Sequence, residues 1–554
     1  MSSPSRFVIG IDLGTTYSAA AFALLSDPKN VEVVKKWPTS GQLVGAKVPT
    51  EIAYAEDKSI TWGYDINPRS RKIKWFKLGL ETTEDVLTMP QGMDVIGVAR
   101  DYLRELYTHI MINISRQYTS AILKDAQYNF VLTVPAIWSD MAKKRTELAA
   151  HSAGLGNSAN STLDLLSEPE SAAVYTLRTV ENFISRLQPN DKMVVCDAGG
   201  GTVDLIAYEI KQLSPVLRLE ECTTGTGDFC GGSFIDREFE KLFQQRVGFL
   251  YESISIVHRQ QILKSFEMSK MAFRDDPGQA KFYIHVPTTA NMPEAGIHDH
   301  QFELTRGEMR RLFDPIIDKV VNLIQEQVSM ASAGTNRIRA ILLVGGFGES
   351  DYLYLRIRAW ASAFGIEVLQ PNDASTAVVQ GAVLKGLEAR GGKTIQVIRR
   401  ARRSYGLATK AVFVEGQHLE VDAEYDPNTG MKIANNQIRW FISANQPVDD
   451  EAEFRFQFRR TFSRPTVWED SLVSSTSPNP QTRMGSDIQK HCVIRSDLRH
   501  LPKSEFIKER KGLRSYYVAD YELIASLRNN NLNLALQYRG KRYGVADVLF
   551  ETAA

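Results

Sequence analysis

Two rhythms of apolar and polar positions divide this chain. Up to about residue 390, short β-rich runs alternate with longer stretches at helical spacing, the pattern of a mixed α/β fold. Strands are predicted at "FVIGID", "NFVLTVP", "KMVVCDAG", "TVDLIAYEI" and "IRAILLVGG". Helices are predicted over 139–153, at "EFEKLFQQ" and at "IIDKVVNLIQEQV". Beyond the basic segment "QVIRRARRSYG" (396–406) the period becomes two. There "EFRFQFRR" points Phe454, Phe456 and Phe458 to one face, and "LNLALQY" does the same with Leu532, Leu534, Leu536 and Tyr538. Between them, the Ser/Pro/Thr-rich "SRPTVWEDSLVSSTSPNPQTRMGSD" reads as a long exposed loop. No helical segment follows the strand-like "YGVADVLFE". The expected organisation is an α/β region over 1–390, a basic linker over 391–403 and a small β-rich, sandwich-like region over 404–554 without a helical lid.

Composition narrows the function classes. A chain of 554 residues is too long for one core. With 66 basic against 65 acidic residues, no global field recruits nucleic acid or an anionic membrane surface. Four cysteines (Cys196, Cys222, Cys230, Cys492) form no CxxC pair, which favours a reducing compartment. With no secretory h-region at the N-terminus and no membrane-length apolar run, a cytoplasmic protein is expected.

The chemistry lies in glycine turns. "GIDLGTTYSA" (10–19) sets Asp12, Gly14 and the hydroxyls of Thr15 and Thr16 at the end of an apolar run. Alone, it fits a structural turn as well as a phosphate cradle. "VVCDAGGGTVDL" (194–205) repeats the plan: strand, Asp197, Gly199, Gly200, Gly201, then Thr202. Glycines let backbone N–H groups approach phosphate oxygens. An Asp at each strand end can hold Mg²⁺ through water. Both turns are flanked by strands and so are hairpin candidates. A third turn, "ILLVGGFGES" (341–350), carries Gly345 and Gly346 and suggests the nucleoside side of the same cleft. The near P-loop "LEARGGKT" lacks its first glycine, and "HDH" (298–300) has no ligand cluster beside it; neither is read as a site.

The order of these turns resembles the actin, hexokinase and heat-shock-chaperone ATPase superfamily, and within it the 70-kDa heat-shock (DnaK-like) chaperones. "IDLGTTYS", "TVPAIWSD", "SEPESAA", "GTGDFCGGSFID" and "FEMSKMAF" are similar to segments of that family, over about residues 7–386. The short β-rich tail and the "RRARRSYG" junction look more like the divergent member-12-like branch. The resemblance implies a two-lobed actin-like ATPase domain, a duplicated ribonuclease H-like fold, followed by a small β-rich domain. It implies ATP or ADP with Mg²⁺ between the lobes.

It also implies roles. Gly14, Thr15, Thr16 and Tyr17 would hold phosphates from one lobe, and Gly199, Gly200, Gly201 and Thr202 from the other. Asp12 and Asp197 would position Mg²⁺, supported by Asp204. Lys77 in "WFKLGL" would stand beside the γ-phosphate, and Glu168 in "SEPE" would orient the attacking water. Gly231 and Gly232 belong to the family's glycine loop. Glu267 and Lys270, three apart on a helix, share a face toward a ribose. The two arginines that flank the base in the family are replaced by Met271 and Glu349; Arg274 is the substitute on the helix, and Asp373 is the Asp before the last helix. The family's leucine-rich acidic linker is replaced by a basic one, so J-domain stimulation and ATP-gated client release do not carry over. The leading expectation is a slow Mg·ATP hydrolase whose β-rich region contacts a protein or peptide. The alternatives are a nucleotide-sensing adaptor with little turnover and a small-molecule kinase on the same fold.

Overall fold

The computed structural model describes residues 4–39, 45–81, 92–180, 183, 185–287, 292–332, 337–391, 395–425, 430–449, 452–462, 467–497, 499, 501–511, 514–528, 531–545 and 547–549. The chain divides into two compact units, Met1–Gln396 and Val397–Ala554.

The first unit is built on two sheets of one plan. In lobe I, strand Arg6–Asp12 runs antiparallel to Tyr17–Leu24 and parallel to Gln127–Val134, which is parallel to Ser161–Ser167. In lobe II, Lys192–Ala198 runs antiparallel to Val203–Gln212 and parallel to Ile338–Val344, itself parallel to Glu367–Leu369. Each lobe thus starts with a hairpin and adds parallel strands beyond the hairpin's first strand. Parallel returns require crossovers, which helices supply. Val95–Gln117 and Asp140–Ala153 serve lobe I, and Arg306–Ala331 and Asp351–Ser362 serve lobe II. Their starts are set by side-chain caps: Asp94 accepts from Gly97 N at 2.7 Å, and Thr305 and Glu308 form a reciprocal capping box.

These strands read as continuous apolar runs because helices cover both faces. Phe7, Ile9 and Ile11 pack with Tyr102, Leu106 and Ile110 on one side of the lobe I sheet. Val8 and Val131 pack with Val379, Ala382 and Val383 of helix Ala377–Gly391 on the other. That helix crosses Glu168–Thr179 at a glycine: a Cβ on Gly381 would collide with the Ser171 carbonyl. Lys385 of the first helix lies 3.3 Å from Glu170 of the second, so the crossing seats the end that carries Glu168. In lobe II, Val194, Cys196, Leu205 and Ala207 share a core with Phe239, Phe266 and Phe302. Among the described residues no helix is long and apolar enough to cross a membrane, and all four cysteines are free thiols.

The second unit is made of strands. One sheet contains Ser404–Val412, Lys432–Ile442, Val467–Ser475 and Gln489–Asp497; the other contains Glu453–Phe462, Arg514–Arg528, Asn531–Tyr538 and Lys541–Val545. Tyr405, Leu407, Leu472 and Ile494 of the first share one core with Phe456, Leu523 and Leu534 of the second, as in a sandwich. The period-2 reading of Phe454–Phe458 and Leu532–Tyr538 matches strands whose alternate residues are covered.

Two segments differ from the sequence reading. The Ser/Pro/Thr-rich stretch is not one long loop: Val467–Ser475 is a strand within it, paired on both sides. Its serines masked it, although Leu472, Val473, Ser474 and Ser475 are all buried. The basic segment likewise contains a strand, Ile395–Arg400, in which Ile395, Val397 and Arg399 are buried in alternation. Its arginines concealed the period of two.

Candidate functional site

Both Asp-x-Gly turns are hairpin turns, and the folded lobes bring them together. In the first, Asp12 ends its strand opposite Ala19. Thr133, on the neighbouring parallel strand, donates from its hydroxyl to Asp12 Oδ1 at 3.2 Å. In the second, Asp197 pairs directly across the hairpin with Asp204, and Gly199 N closes the turn onto Thr202 O at 3.0 Å. A Cβ on Gly200 would run into the Thr16 hydroxyl, and one on Gly201 would lie 2.5 Å from the Thr15 methyl. The glycines are therefore required by the approach of one turn to the other.

The other two glycine segments fasten onto the second turn. Gly231 N, Gly232 N and Ser233 N donate to the carbonyls of Gly201, Gly199 and Gly200 at 3.2, 3.1 and 2.8 Å. Gly345 follows the strand paired with Asp197 and takes φ +89°, where a Cβ would strike the Asp197 carboxylate and the Ala198 carbonyl.

Lys77 and Glu168 meet beside these turns. Lys77 Nζ lies 2.6 Å from Glu168 Oε1, and both side chains are less than 10% exposed, at 3% and 8%. Glu168 opens its helix, with Ser167 as N-cap and Pro169 in the first turn, a favourable place for a carboxylate. Asp12, Asp197 and Asp204 are buried too. Burial, opposed by Lys77 and reinforced by Asp12, Asp197 and Asp204, pushes the Glu168 carboxyl up to about 8; burial and then repulsion from Asp12 and Asp204 push Asp197 up to about 7. Burial also raises Asp204 to about 6, against Lys77, the Thr202 hydroxyl and the Ile137 and Ala136 backbone. For Lys77, burial disfavours the ammonium, but Glu168, Asp12 and Asp204 together raise its pKa.

This donor set suits a hard divalent cation: it holds excess carboxylate charge, and Asp204 Oδ1 is buried without a hydrogen-bond partner. Among the described residues no three His, Cys, Asp or Glu side chains converge to chelate a metal directly. A cation here would keep much of its water.

The residues expected around the base and ribose are engaged separately. Glu267 accepts from the Tyr17 hydroxyl at 3.0 Å, which ties lobe II to the first turn. Lys270 Nζ binds Asp236 at 2.7 Å and the Gly232 carbonyl at 3.3 Å. Arg274 pairs with Asp351 at 2.6 Å with its side chain 71% exposed. Met271 is 68% exposed. Glu349 accepts from Ser375 N at 3.0 Å, and Asp373 accepts from the Tyr175 hydroxyl at 3.3 Å.

Sequence reading missed three participants. Thr133 carried a signal, since it lies in the "TVPAIWSD" segment. Arg237 of lobe II stacks on Trp75 of lobe I at 4.1 Å and on Phe234 at 4.7 Å, two positions before Lys77. Lys47 reaches the third turn from lobe I, its Nζ 3.8 Å from where a Cβ on Gly346 would stand. Nothing in the local sequence distinguishes these last two from surface residues.

Two sheets of identical plan, closing their hairpin turns on a buried Lys–Glu pair, define an actin-like ATPase domain. The chain belongs to the Hsp70 family: the family model described as Hsp70 protein matches residues 92–399, more than half of the 554 residues. It is similar to Heat shock 70 kDa protein 12A of Homo sapiens, with 26% identity over 539 residues covering 80% of this chain and 77% of that one. Heat shock 70 kDa protein 12B of Homo sapiens is also 26% identical, over 80% of this chain and 76% of its own length. Chaperone protein DnaK of Mycoplasma mobile is 23% identical over 68% of this chain and 58% of its own.

Proposed function

We propose that this chain is a divergent Hsp70-type ATPase that binds Mg·ATP between the lobes of its first unit and hydrolyses it slowly. The observation that carries the reading is the buried Lys77–Glu168 pair, 2.6 Å apart, beside the two facing glycine turns.

Phosphoryl transfer asks little covalent chemistry of a protein; it asks for positioned charge and an oriented nucleophile. The amides of Gly14, Thr15 and Thr16, with those of Gly199, Gly200 and Gly201, cradle the phosphates from the two sides. Asp12 and Asp197 hold the hydrated Mg²⁺, with Thr133 steadying Asp12. When bound, the cation supplies neutralisation of the charge that develops on the phosphate oxygens. Lys77 places its ammonium at the transferring phosphate. Glu168, held by Lys77 and by the start of its helix, orients the attacking water. Tyr17 and Glu267 close the lobes over the ligand, and Lys270, through Asp236 and Gly232, supports the ribose side. The β-rich second unit contacts a protein or peptide, which agrees with the names of its chaperone relatives.

The test is single-turnover hydrolysis of ATP by the full chain beside its Lys77→Ala and Glu168→Ala variants. Turnover lost in both, with Mg·ATP binding retained, supports the reading. Tight binding without turnover in the unmodified chain overturns it in favour of a sensing adaptor. Transfer of phosphate to a metabolite overturns it in favour of a kinase.

A further inference from the structure

The loop "GAKVPT" (45–50) carries a lysine that the chemistry above leaves unused. Its backbone is fixed on several sides. The Tyr64 hydroxyl donates to the Lys47 carbonyl at 3.1 Å, and the Trp37 indole donates to the Gly45 carbonyl at 3.1 Å. The next two residues, Val48 and Pro49, pair with Ser18 and Tyr17 of the first hairpin. Thr50 N then donates to the Thr16 carbonyl at 2.8 Å. Lys47 is therefore anchored to the turn that presents Thr15 and Thr16.

Its side chain crosses to the other lobe. Nζ stands 3.8 Å from the position of a Cβ on Gly346, against the third glycine turn. Among the described residues Lys47 Nζ has no hydrogen-bond or ion-pair partner. The Lys47 head faces a turn that has no side chain at Gly345 and Gly346, and that turn packs on the Asp197 carboxylate. Such a space, with a cation on one wall and bare backbone on the other, accommodates an anion.

We propose that Lys47 is a second phosphate-binding cation of the cleft, delivered from lobe I onto the Gly345–Gly346 turn of lobe II. Its ligand is the charged phosphate chain of a nucleoside di- or triphosphate. Because it belongs to one lobe and faces the other, its contact is completed only when the lobes are closed on the ligand. The inference rests on the Mg·ATP reading of the cleft, and it adds a residue that reads phosphate charge rather than base identity.

Calorimetric titration of the full chain and its Lys47→Ala and Lys47→Arg variants with Mg·ADP, Mg·ATP and adenosine tests it. One charge-assisted contact corresponds to roughly tenfold in affinity. Lys47→Ala is expected to lose about that factor for Mg·ADP and Mg·ATP, to keep its adenosine affinity, and to retain the wild-type melting temperature. Lys47→Arg should recover most of the loss. If the unmodified chain binds Mg·ADP and Lys47→Ala binds it equally well, this inference falls and the ATPase reading stands. An equal loss for adenosine also overturns it, because the loop would then be acting on the shape of the cleft. An unmodified chain that binds neither Mg·ADP nor Mg·ATP overturns both.

Discussion

The acids of the cleft are held in a state that a cation should change. Glu168, Asp197 and Asp204 have folded-state pKa values near 8, 7 and 6, raised first by burial. Unfolded carboxylates titrate near ~4. Across that window the folded chain binds more protons than the unfolded one, so stability falls as pH rises. Mg·ADP favours the ionised carboxylates and should cancel the slope. Melting of the full chain without divalent cations should occur roughly 2 °C or more lower at pH 8 than at pH 6. With saturating Mg·ADP that difference should shrink. A melting temperature whose pH dependence is untouched by Mg·ADP would count against the shared buried charge. At the same scale, Glu168→Gln preserves packing but removes the charge proposed to orient the attacking water. Single-turnover hydrolysis should drop about 100-fold, with Mg·ADP affinity nearly unchanged; a comparable drop in affinity would mean that Glu168 serves binding instead.

Among the elements, the hairpins matter most, because each presents its turn to the other. Gly200→Ala inserts a Cβ into the Thr16 hydroxyl, so the turns must separate. The variant should keep its helical and strand content by circular dichroism yet lose at least about tenfold in Mg·ADP affinity. Unchanged affinity would show that the turns need not meet. A second device spans the lobes: the Arg237 guanidinium packed on Trp75 and Phe234. Cation–π contacts are worth about 0.5–2 kcal/mol. Arg237→Ala should therefore speed release of a fluorescent ADP analogue about 2- to 30-fold in stopped-flow chase. A release rate equal to wild type would rule out the latch. The hairpins themselves were legible, since each is an apolar run broken by Asp-x-Gly and resumed as a strand. Val467–Ser475 was not, because five of its side chains are hydroxyl or acidic, and the burial of three of them, Asp470, Ser474 and Ser475, depends on the strands at either side.

At the scale of the molecule, the same strand plan occurs twice in the first unit, and the two copies close on one cleft. Each compact unit has its own hydrophobic core. Differential scanning calorimetry of the full chain should resolve two transitions, with only the one from the first unit moving upward with Mg·ADP. A single transition moving as a whole would mean that the units unfold together. Apolar periodicity and the Asp-x-Gly spacing by themselves determined the α/β and β-rich halves, the hairpins and the acidic and glycine residues at their turns, because those features depend on neighbours within a few positions. Only the tertiary structure decided which turn meets which, that Lys77 pairs with Glu168 across 91 positions, that Arg274 turns to Asp351, and that Lys47 faces Gly346. Those contacts join residues far apart in sequence, and no local spacing encodes a distance between two lobes.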